Sequence, residues 1–199
     1  MAKTILDMSM SLDGFITGPN VRPDNGLGDG GDVLHDWVFA GAEPSGPQAA
    51  VTTGVNGGVL AEMLATGAVI AGRRTFEPAG GWNGDHHDGV PIYILSRHSK
   101  PDWTAQWPLV HYMSDLAEIV RLAKAAAGDK DILVHGSGLT QRLLAAGLLD
   151  ELEIHVVPVM FGDGIRLFDN LGLTHHQLER TRALEGENGV THLHFRVRK

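Results

Sequence analysis

The sequence predicts an α/β fold whose central sheet is mostly parallel, with helices on both faces and an antiparallel hairpin at its C-terminal edge. Short apolar runs alternate with helical segments through most of the chain, and the last two predicted strands flank a turn at residues 186–189. The unbroken apolar run of Ile132, Leu133 and Val134 is typical of a central strand covered on both faces. No repeat or internal boundary interrupts the 199 residues, so a single domain over residues 1–199 is predicted.

The N-terminal third opens with a strand and continues into a long irregular segment. The strand is predicted over residues 4–10 and is broken by residues 11–14. Residues 18–57 are rich in glycine and proline, which is typical of a functional loop or lid with short helical pieces. The spacing of Leu34, Trp37 and Val38 predicts one such piece, and a second helix is predicted over residues 59–65, before Gly67.

The remaining elements alternate between strand and helix. Further strands are predicted over residues 68–71, 91–95, 109–112, 131–135, 152–157, 178–184 and 192–197. Asp115 and Glu118 form a start similar to a capping box for a helix that ends at Gly128. Another helix follows residues 136–138 and closes near Gly147. Polar and apolar residues alternate in the last strand, which predicts a half-buried edge that is paired or covered.

Composition narrows the possible functions. With 16 basic and 24 acidic residues, the net charge of −8 argues against broad binding to nucleic acids or anionic membranes. No apolar run approaches the roughly 20 residues needed to cross a bilayer. The absence of cysteine excludes disulfides and thiolate metal sites. Without a secretory signal at the N-terminus, we expect a cytoplasmic protein.

The 11 histidines raise the question of a metal site. His192 and His194 share one face of a predicted strand. The adjacent pairs His86–His87 and His175–His176 would point in opposite directions on a strand. The chain has no H-E-x-x-H motif and no histidine set bracketed by acids. We therefore expect no bound metal.

Three predicted strands each end in residues that suit a phosphate. The first is followed by Gly72, Arg73, Arg74 and Thr75, where a glycine permits close backbone approach and guanidinium groups can bind phosphate bidentately. The alternative is a solvated turn whose arginines pair with surface acids. Ser96 and Arg97 end a second strand in the same way.

The third strand end leads through a glycine-rich turn into a helix. The backbone N–H groups at the start of this helix could bind a pyrophosphate. Alternatively, the turn could serve only to start the helix. The residues of this turn are Gly136, Ser137, Gly138, Leu139 and Thr140. It lacks the G-x-G-x-x-G pattern of a Rossmann fold. Together, the three strand ends predict a phosphorylated dinucleotide lying across the carboxyl edge of the sheet.

Several motifs, in combination and in order, give the chain a resemblance to a known family. They are M-S-L-D-G-F-I (10–16), H-D-W (35–37), V-I-A-G-R-R-T-F-E (69–77), P-I-Y-I-L-S-R (91–97), A-G-L-L-D-E-L (146–152) and V-P-V-M-F-G-D-G-I-R-L-F (157–168). The chain resembles the dihydrofolate-reductase-like proteins, and within them the C-terminal reductase domain of the bifunctional riboflavin-biosynthesis enzyme. The resemblance covers nearly the whole length.

The resemblance implies a dihydrofolate-reductase-like fold, NADPH as the cofactor and hydride transfer to a small pterin- or aminopyrimidine-like substrate. The adenosine 2′-phosphate would lie at Arg73, Arg74 and Thr75 with Ser96 and Arg97 beside it, the pyrophosphate at residues 136–140, and the nicotinamide between Ser9 and Ile16. It also implies a homodimer. A flavin or deazaflavin partner, or a ligand-binding protein without turnover, remains an alternative.

The sequence gives weaker signals for the residues that would contact the substrate. Dihydrofolate reductases carry an acid in their first helix, and Asp36 is the nearest candidate here, with a surface helix acid as the alternative. Trp37 and His135 are candidates for the substrate side, although each could be a core residue. Asp13, beside Gly14, is interpreted as a turn residue.

Overall fold

The computed structural model describes residues 2–39, 53–172 and 175–199, so part of the glycine-rich segment lies outside the described residues. The strands are β1 (Thr4–Ser11), β2 (Ala68–Gly72), β3 (Ile92–Leu95), β4 (Val110–Met113), β5 (Ile132–His135), β6 (Glu151–Val157), β7 (Leu178–Glu185) and β8 (Thr191–Val197). The helices are α1 (Asp36–Phe39), α2 (Gly54–Leu64), α3 (Arg73–Phe76), α4 (Leu116–Ala127) and α5 (Ser137–Ala145). Short 3₁₀ turns cover Gly31–His35, Gly80–Gly84, Asp102–Thr104 and Glu187–Gly189.

All eight strands belong to one sheet, in the order β4-β3-β2-β5-β1-β6-β8-β7. The first six run parallel, whereas β8 is antiparallel to β6 and β7 is antiparallel to β8. In the register of the central strand, Leu6 lies between Val134 and Leu152. The predicted mostly parallel sheet with an antiparallel C-terminal hairpin is confirmed.

One detail of the hairpin differs from the sequence interpretation. Strand β8 is not the edge, because it lies between β6 and β7. The edge is β7, whose ladder is interrupted by an irregularity between Arg180 and Arg182. An irregular, charged edge strand is a common protection against pairing with another chain.

The helices cover both faces of the sheet and bury its apolar residues. Ile119 of α4 and Leu139 and Leu143 of α5 join the larger core cluster on one face. On the other face, Phe76 of α3 is fully buried against the sheet, and Met63 of α2 packs beside it. Within the described ranges, no helix is both long and apolar enough to span a bilayer.

Helix α2 begins at Gly54, five residues before the predicted start. The Glu187 carboxylate, from the turn between β7 and β8, accepts hydrogen bonds from the backbone N–H groups of Val55 (3.0 Å) and Asn56 (2.9 Å). These are helix N-terminal donors that have no partner within the helix. A cap supplied by a residue more than 130 positions away leaves no local signal, which explains the late predicted start.

Helix α4 starts as predicted, although its capping differs in detail. Asp115 Oδ1 accepts from the backbone N–H groups of Ala117 (2.9 Å) and Glu118 (3.1 Å). The Glu118 carboxylate does not bond back to the cap and instead pairs with Arg121 on the helix surface. The N-cap is therefore confirmed, but not the reciprocal bond of a capping box.

Candidate functional site

A cavity of about 990 Å³ lies where the parallel strands β1, β2, β3 and β5 end. This volume is at the upper end of the roughly 300–1,000 Å³ typical of ligand pockets. Most of the residues proposed from the sequence line it: Ser9, Ile16, Trp37, Gly72, Arg73, Arg74, Thr75, Ser96, Arg97, His135, Gly136, Ser137, Gly138 and Leu139. The topology thus brings three separate strand ends to one site.

One end of the cavity is strongly cationic. Arg73, Arg74, Arg97 and Arg142 all line it, from the ends of β2 and β3 and from α5. Arg73 pairs with Glu77 at 3.0 Å. Among the described residues, no carboxylate lies within ion-pair distance of the other three guanidinium groups. In a chain of net charge −8, unpaired arginines concentrated at one point mark a site for an anion.

The start of helix α5 lies at this cationic end. Gly136, the residue before the helix, has φ +103°, and a Cβ there would collide with the Thr75 hydroxyl. Only glycine allows the chain to turn here so closely against α3. An Arg74 guanidinium nitrogen lies 3.8 Å from the position that a Cβ on Gly138 would occupy. The free N–H groups of the helix start and a guanidinium therefore face the same space.

The other end of the cavity, toward β1 and β6, is nearly closed to water and carries an acid. Asp7 is 7% exposed, and its Oδ1 lies 3.2 Å from His155 Nε2. Burial raises the pKa of the Asp7 carboxyl, but the charge and hydrogen bond of His155, together with the charges of His135 and His86, bring the net pKa below the ordinary value. The site therefore holds an ionised carboxylate in a largely apolar wall.

Trp37 closes this inner end. Its indole Nε1 donates to Ser9 Oγ at 2.8 Å, and its ring lies 4.4 Å from the ring of His155. Both Trp37 and Ser9 are buried yet line the cavity. Beside this aromatic wall and buried hydroxyl the Asp7 side chain is only 10% exposed, which strengthens electrostatic interactions there.

Between the two ends, a chain of histidines crosses the wall. His135 Nδ1 lies 2.9 Å from the backbone oxygen of Asp7, and its Nε2 lies 3.1 Å from His86 Nε2. Burial and the repulsion of neighbouring histidines lower the pKa of His86 to about 2, and burial also lowers the pKa of His135. Trp82 packs edge-on against His86 at 4.7 Å with φ +49°, a backbone region that non-glycine residues rarely adopt. These rings are neutral walls of the cavity at pH 7.

Two of the residues proposed from the sequence lie outside the cavity. Asp36 is exposed on α1 and lines only a separate depression of about 210 Å³. Thr140 is fully buried, and its hydroxyl donates to the Gly136 carbonyl at 2.8 Å. Asp13 accepts from Ser11 and from two backbone N–H groups of the 161–162 turn, as expected of a turn residue.

Among the cavity-lining residues that the sequence did not assign to the site are Asp7, Trp82, His86 and Arg142. Asp7 carried a usable signal, because an acid inside an otherwise apolar strand needs a partner. The other three lie in a turn or on a helix surface, where nothing local distinguishes them. Within the described part of the chain, no group of three or more potential ligands is arranged to hold a metal ion.

The fold and the strand-edge cavity define a protein of the dihydrofolate-reductase-like class. The chain belongs to the family of the RibD C-terminal domain, whose profile matches residues 2–191. Among curated proteins, none matches the chain.

Solved structures of three proteins share this fold. A protein described as a riboflavin biosynthesis protein, from Shewanella sp. PV-4, aligns over 100% of both chains with 20% identity and a TM-score of 0.71. A pyrimidine reductase-like protein from Corynebacterium diphtheriae covers 100% of this chain and 92% of its own, with 13% identity and a TM-score of 0.61. Dihydrofolate reductase from Enterococcus faecalis, complexed with NADP(H) and RAB-propyl, covers 99% of this chain and 97% of its own, with 15% identity and a TM-score of 0.59.

Proposed function

We propose that this protein is an NADPH-dependent reductase that transfers hydride to a small pterin- or aminopyrimidine-like ring. One observation carries the proposal: a single cavity joins an arginine-rich end at β2 and β3 to a water-poor end that holds Asp7 and Trp37. A dinucleotide needs such a polarised site, because its phosphates are anionic and its reacting ring is not. The family and the NADP(H) complex of a protein with the same fold support the proposal.

The residues present fit this cofactor, whose bound nicotinamide would supply a hydride. Arg74 and Arg97 would hold the 2′-phosphate, with Arg73 and Thr75 beside them. The N–H groups at the start of α5 would hold the pyrophosphate, and Gly136 keeps that approach open. Ser9 and Ile16 would flank the nicotinamide, where the wall is buried.

The substrate class follows from the polar groups of the inner end. Asp7 and Ser9 offer hydrogen-bonding atoms beside a space walled by Trp37, Trp82 and His135. A flat ring with several N–H and C=O groups satisfies such a wall, as pterins and aminopyrimidines do. The pyrimidine reductase-like protein and dihydrofolate reductase share the fold, which supports this class.

Calorimetric titration with NADPH and NADH tests the cofactor assignment. Wild type should bind NADPH more tightly than NADH, because only NADPH carries the 2′-phosphate that the unpaired guanidinium groups can hold. The double variant Arg74→Ala, Arg97→Ala should lose most of that preference, a change of about 1.5–3 kcal/mol for each charge-assisted contact.

The matched control is Arg121→Ala, which removes an equally exposed arginine from α4, outside the cavity. It should bind both nucleotides as wild type does. If wild type binds both nucleotides equally, the arginines do not hold a 2′-phosphate and the assignment fails. A coloured purified protein would point instead to a flavin or deazaflavin.

Turnover is tested by the loss of NADPH absorbance with pterin and aminopyrimidine compounds as hydride acceptors. We expect oxidation of NADPH with at least one member of these two classes. Tight NADPH binding with no oxidation across both classes would favour a ligand-binding protein without turnover.

We also propose a homodimer, as the resemblance implies. Leu12 and Met160 have 66% and 69% of their surfaces exposed, and the backbone N–H of Leu12 donates at 2.8 Å to the carbonyl of Val159, the residue before Met160. Light scattering at micromolar concentration should give twice the monomer mass, and Met160→Glu should shift the mass toward that of the monomer. A monomeric wild type would contradict this proposal.

A further inference from the structure

Four buried side chains behind the inner end of the cavity form a single file of hydrogen bonds. Asp7 Oδ1 lies 3.2 Å from His155 Nε2, His155 Nδ1 lies 2.7 Å from His192 Nδ1, and His192 Nε2 lies 2.9 Å from Asn56 Oδ1. The exposed fractions of His155, His192 and Asn56 are 1%, 0% and 0%. Water therefore does not substitute for any of these bonds.

The direction of the bond at the far end is set by Asn56. Its Nδ2 donates to the backbone oxygens of Trp37 (3.4 Å) and Glu187 (3.3 Å), so its Oδ1 faces His192. An amide oxygen only accepts hydrogen bonds, and His192 Nε2 must therefore carry a hydrogen. At the near end, an ionised Asp7 also only accepts, so His155 Nε2 must carry one too.

The number of hydrogens on the two imidazole rings determines the net charge of this file of side chains. The contact between the two Nδ1 atoms needs one further hydrogen, which makes three on two imidazole rings. Two neutral imidazoles carry only two. The file therefore holds one extra proton, whose charge balances that of the Asp7 carboxylate. Moving this proton from His155 Nε2 to Asp7 Oδ1 reverses one hydrogen bond and breaks none.

The surroundings place the proton on the ring next to Asp7. Burial and the positive charge of His155 lower the pKa of His192 to about 4, so His192 is the neutral ring. The Trp37 ring lies 4.4 Å from the His155 ring, close enough for its π electrons to favour a cation there. The other ionisable groups near the file include His35 and His135 beside the cavity, and Glu153 of β6 and Arg182 of β7 away from it. Glu153 and Arg182 pair with each other at 3.2 Å.

We propose that Asp7 and His155 are the proton source for the reduction, an inference that rests on the proposed function. Asp7 lines the cavity with 10% of its side chain exposed, and among the described residues only His155 hydrogen-bonds to its carboxylate. The free carboxylate oxygen can therefore meet a substrate atom. His155 has no such access and acts through Asp7, which makes it a positioning residue and a proton store.

When the carbon of a C=N or C=O group receives hydride, the π electron pair moves to the nitrogen or oxygen. His155 passes its proton to the Asp7 carboxylate, and the resulting carboxyl group donates a proton to that atom and so returns to the carboxylate. His155 is left neutral, and a solvent proton recharges the file after the product leaves.

The protonation of His155 can be measured directly by NMR of the full chain labelled with ¹⁵N in its imidazole rings, without any ligand, at pH 7.5. We expect the His155 signals to show two protonated nitrogens and the His192 signals to show one, with His155→Gln used for assignment. In Asp7→Asn, His155 should become neutral. A bare nitrogen on His155 in wild type would overturn the proposal, whether or not the variants fold.

Kinetics with the hydride acceptor found in the absorbance screen tests delivery of the proton. Asp7→Asn should lower kcat by about 100-fold or more, the usual effect of losing a general acid, with little change in KM for NADPH. His155→Gln should alter the pH profile of kcat. Glu151→Gln removes another buried carboxylate of β6, which pairs with Lys3 at 2.9 Å and lies outside the cavity, and it should keep kcat within a few-fold of wild type.

The two proposals can fail separately. An unchanged kcat in Asp7→Asn would overturn delivery through Asp7 even if the enzyme reduces its substrate with NADPH. If His155 is doubly protonated but the protein binds no nucleotide, the charged Asp7–His155 pair is confirmed. Its role as a proton source is then overturned together with the proposed reductase activity.

Discussion

Gly136→Ala is expected to weaken NADPH binding at least tenfold, which corresponds to about 1.4 kcal/mol. At φ +103° an alanine is strained by about 1–3 kcal/mol, and its methyl group collides with the Thr75 hydroxyl. Either the start of α5 or α3 must move, and both contribute to the proposed phosphate site. Calorimetric titration with NADPH measures the effect, and thermal unfolding measures the accompanying loss of stability.

Two further variants separate the collision from the backbone strain. Gly147→Ala, at the other end of α5, also has positive φ (+67°), but its methyl group would meet no atom within 4 Å. It should lose only about 1 kcal/mol of stability and bind NADPH normally. Adding Thr75→Ala to Gly136→Ala should recover part of the stability. NADPH binding by Gly136→Ala equal to wild type would show that this turn does not approach the cofactor.

Acidification is expected to unfold the protein more readily between pH 6.5 and pH 5. Burial lowers the pKa of His35, His86, His135 and His192 below the ordinary value of 6.5, to about 4 for His192. The unfolded chain therefore binds more protons in this range, so stability present above pH 6.5 is lost as the pH falls. For His192 alone the loss at pH 5 is roughly 2 kcal/mol.

Urea unfolding at pH 7.5, 6.5, 5.5 and 5.0 measures this dependence. Burial raises the pKa of Glu153 above 4.5, which opposes part of the loss. His192→Asn should reduce the slope by about one proton, or about 1.4 kcal/mol for each pH unit. His98→Asn, at an exposed position, should leave the slope unchanged. A stability that does not change between pH 7.5 and 5 would show that these histidines are not held neutral by the fold.

The order of elements could be predicted from the sequence because each had a local signal. Apolar runs predicted β2, β3 and β5, and Asp115 and Gly128 bounded α4 at the correct residues. Long-range contacts determined the differences. Glu187 extends α2 at its N-terminus, and the return of the chain places β8 inside the sheet rather than at its edge.

The sequence predicted the residues at one end of the cavity but not those at the other. The cationic end was visible because Gly72, Arg73, Arg74 and Thr75 are consecutive and parallel strands bring their carboxyl ends together. The inner end was not, because Asp7 and His155 are 148 positions apart and meet only through the β1–β6 pairing. Each is one of several polar residues in its strand, and only the topology makes the two partners.

A crystal structure of the protein with NADPH would show directly how the nucleotide lies in the cavity. We expect one NADPH along the strand-edge cavity, with its 2′-phosphate against Arg74 and Arg97, its pyrophosphate at the start of α5 and its nicotinamide toward Asp7 and Trp37. A nucleotide bound in the opposite direction, or outside the cavity, would contradict the proposed roles of both ends.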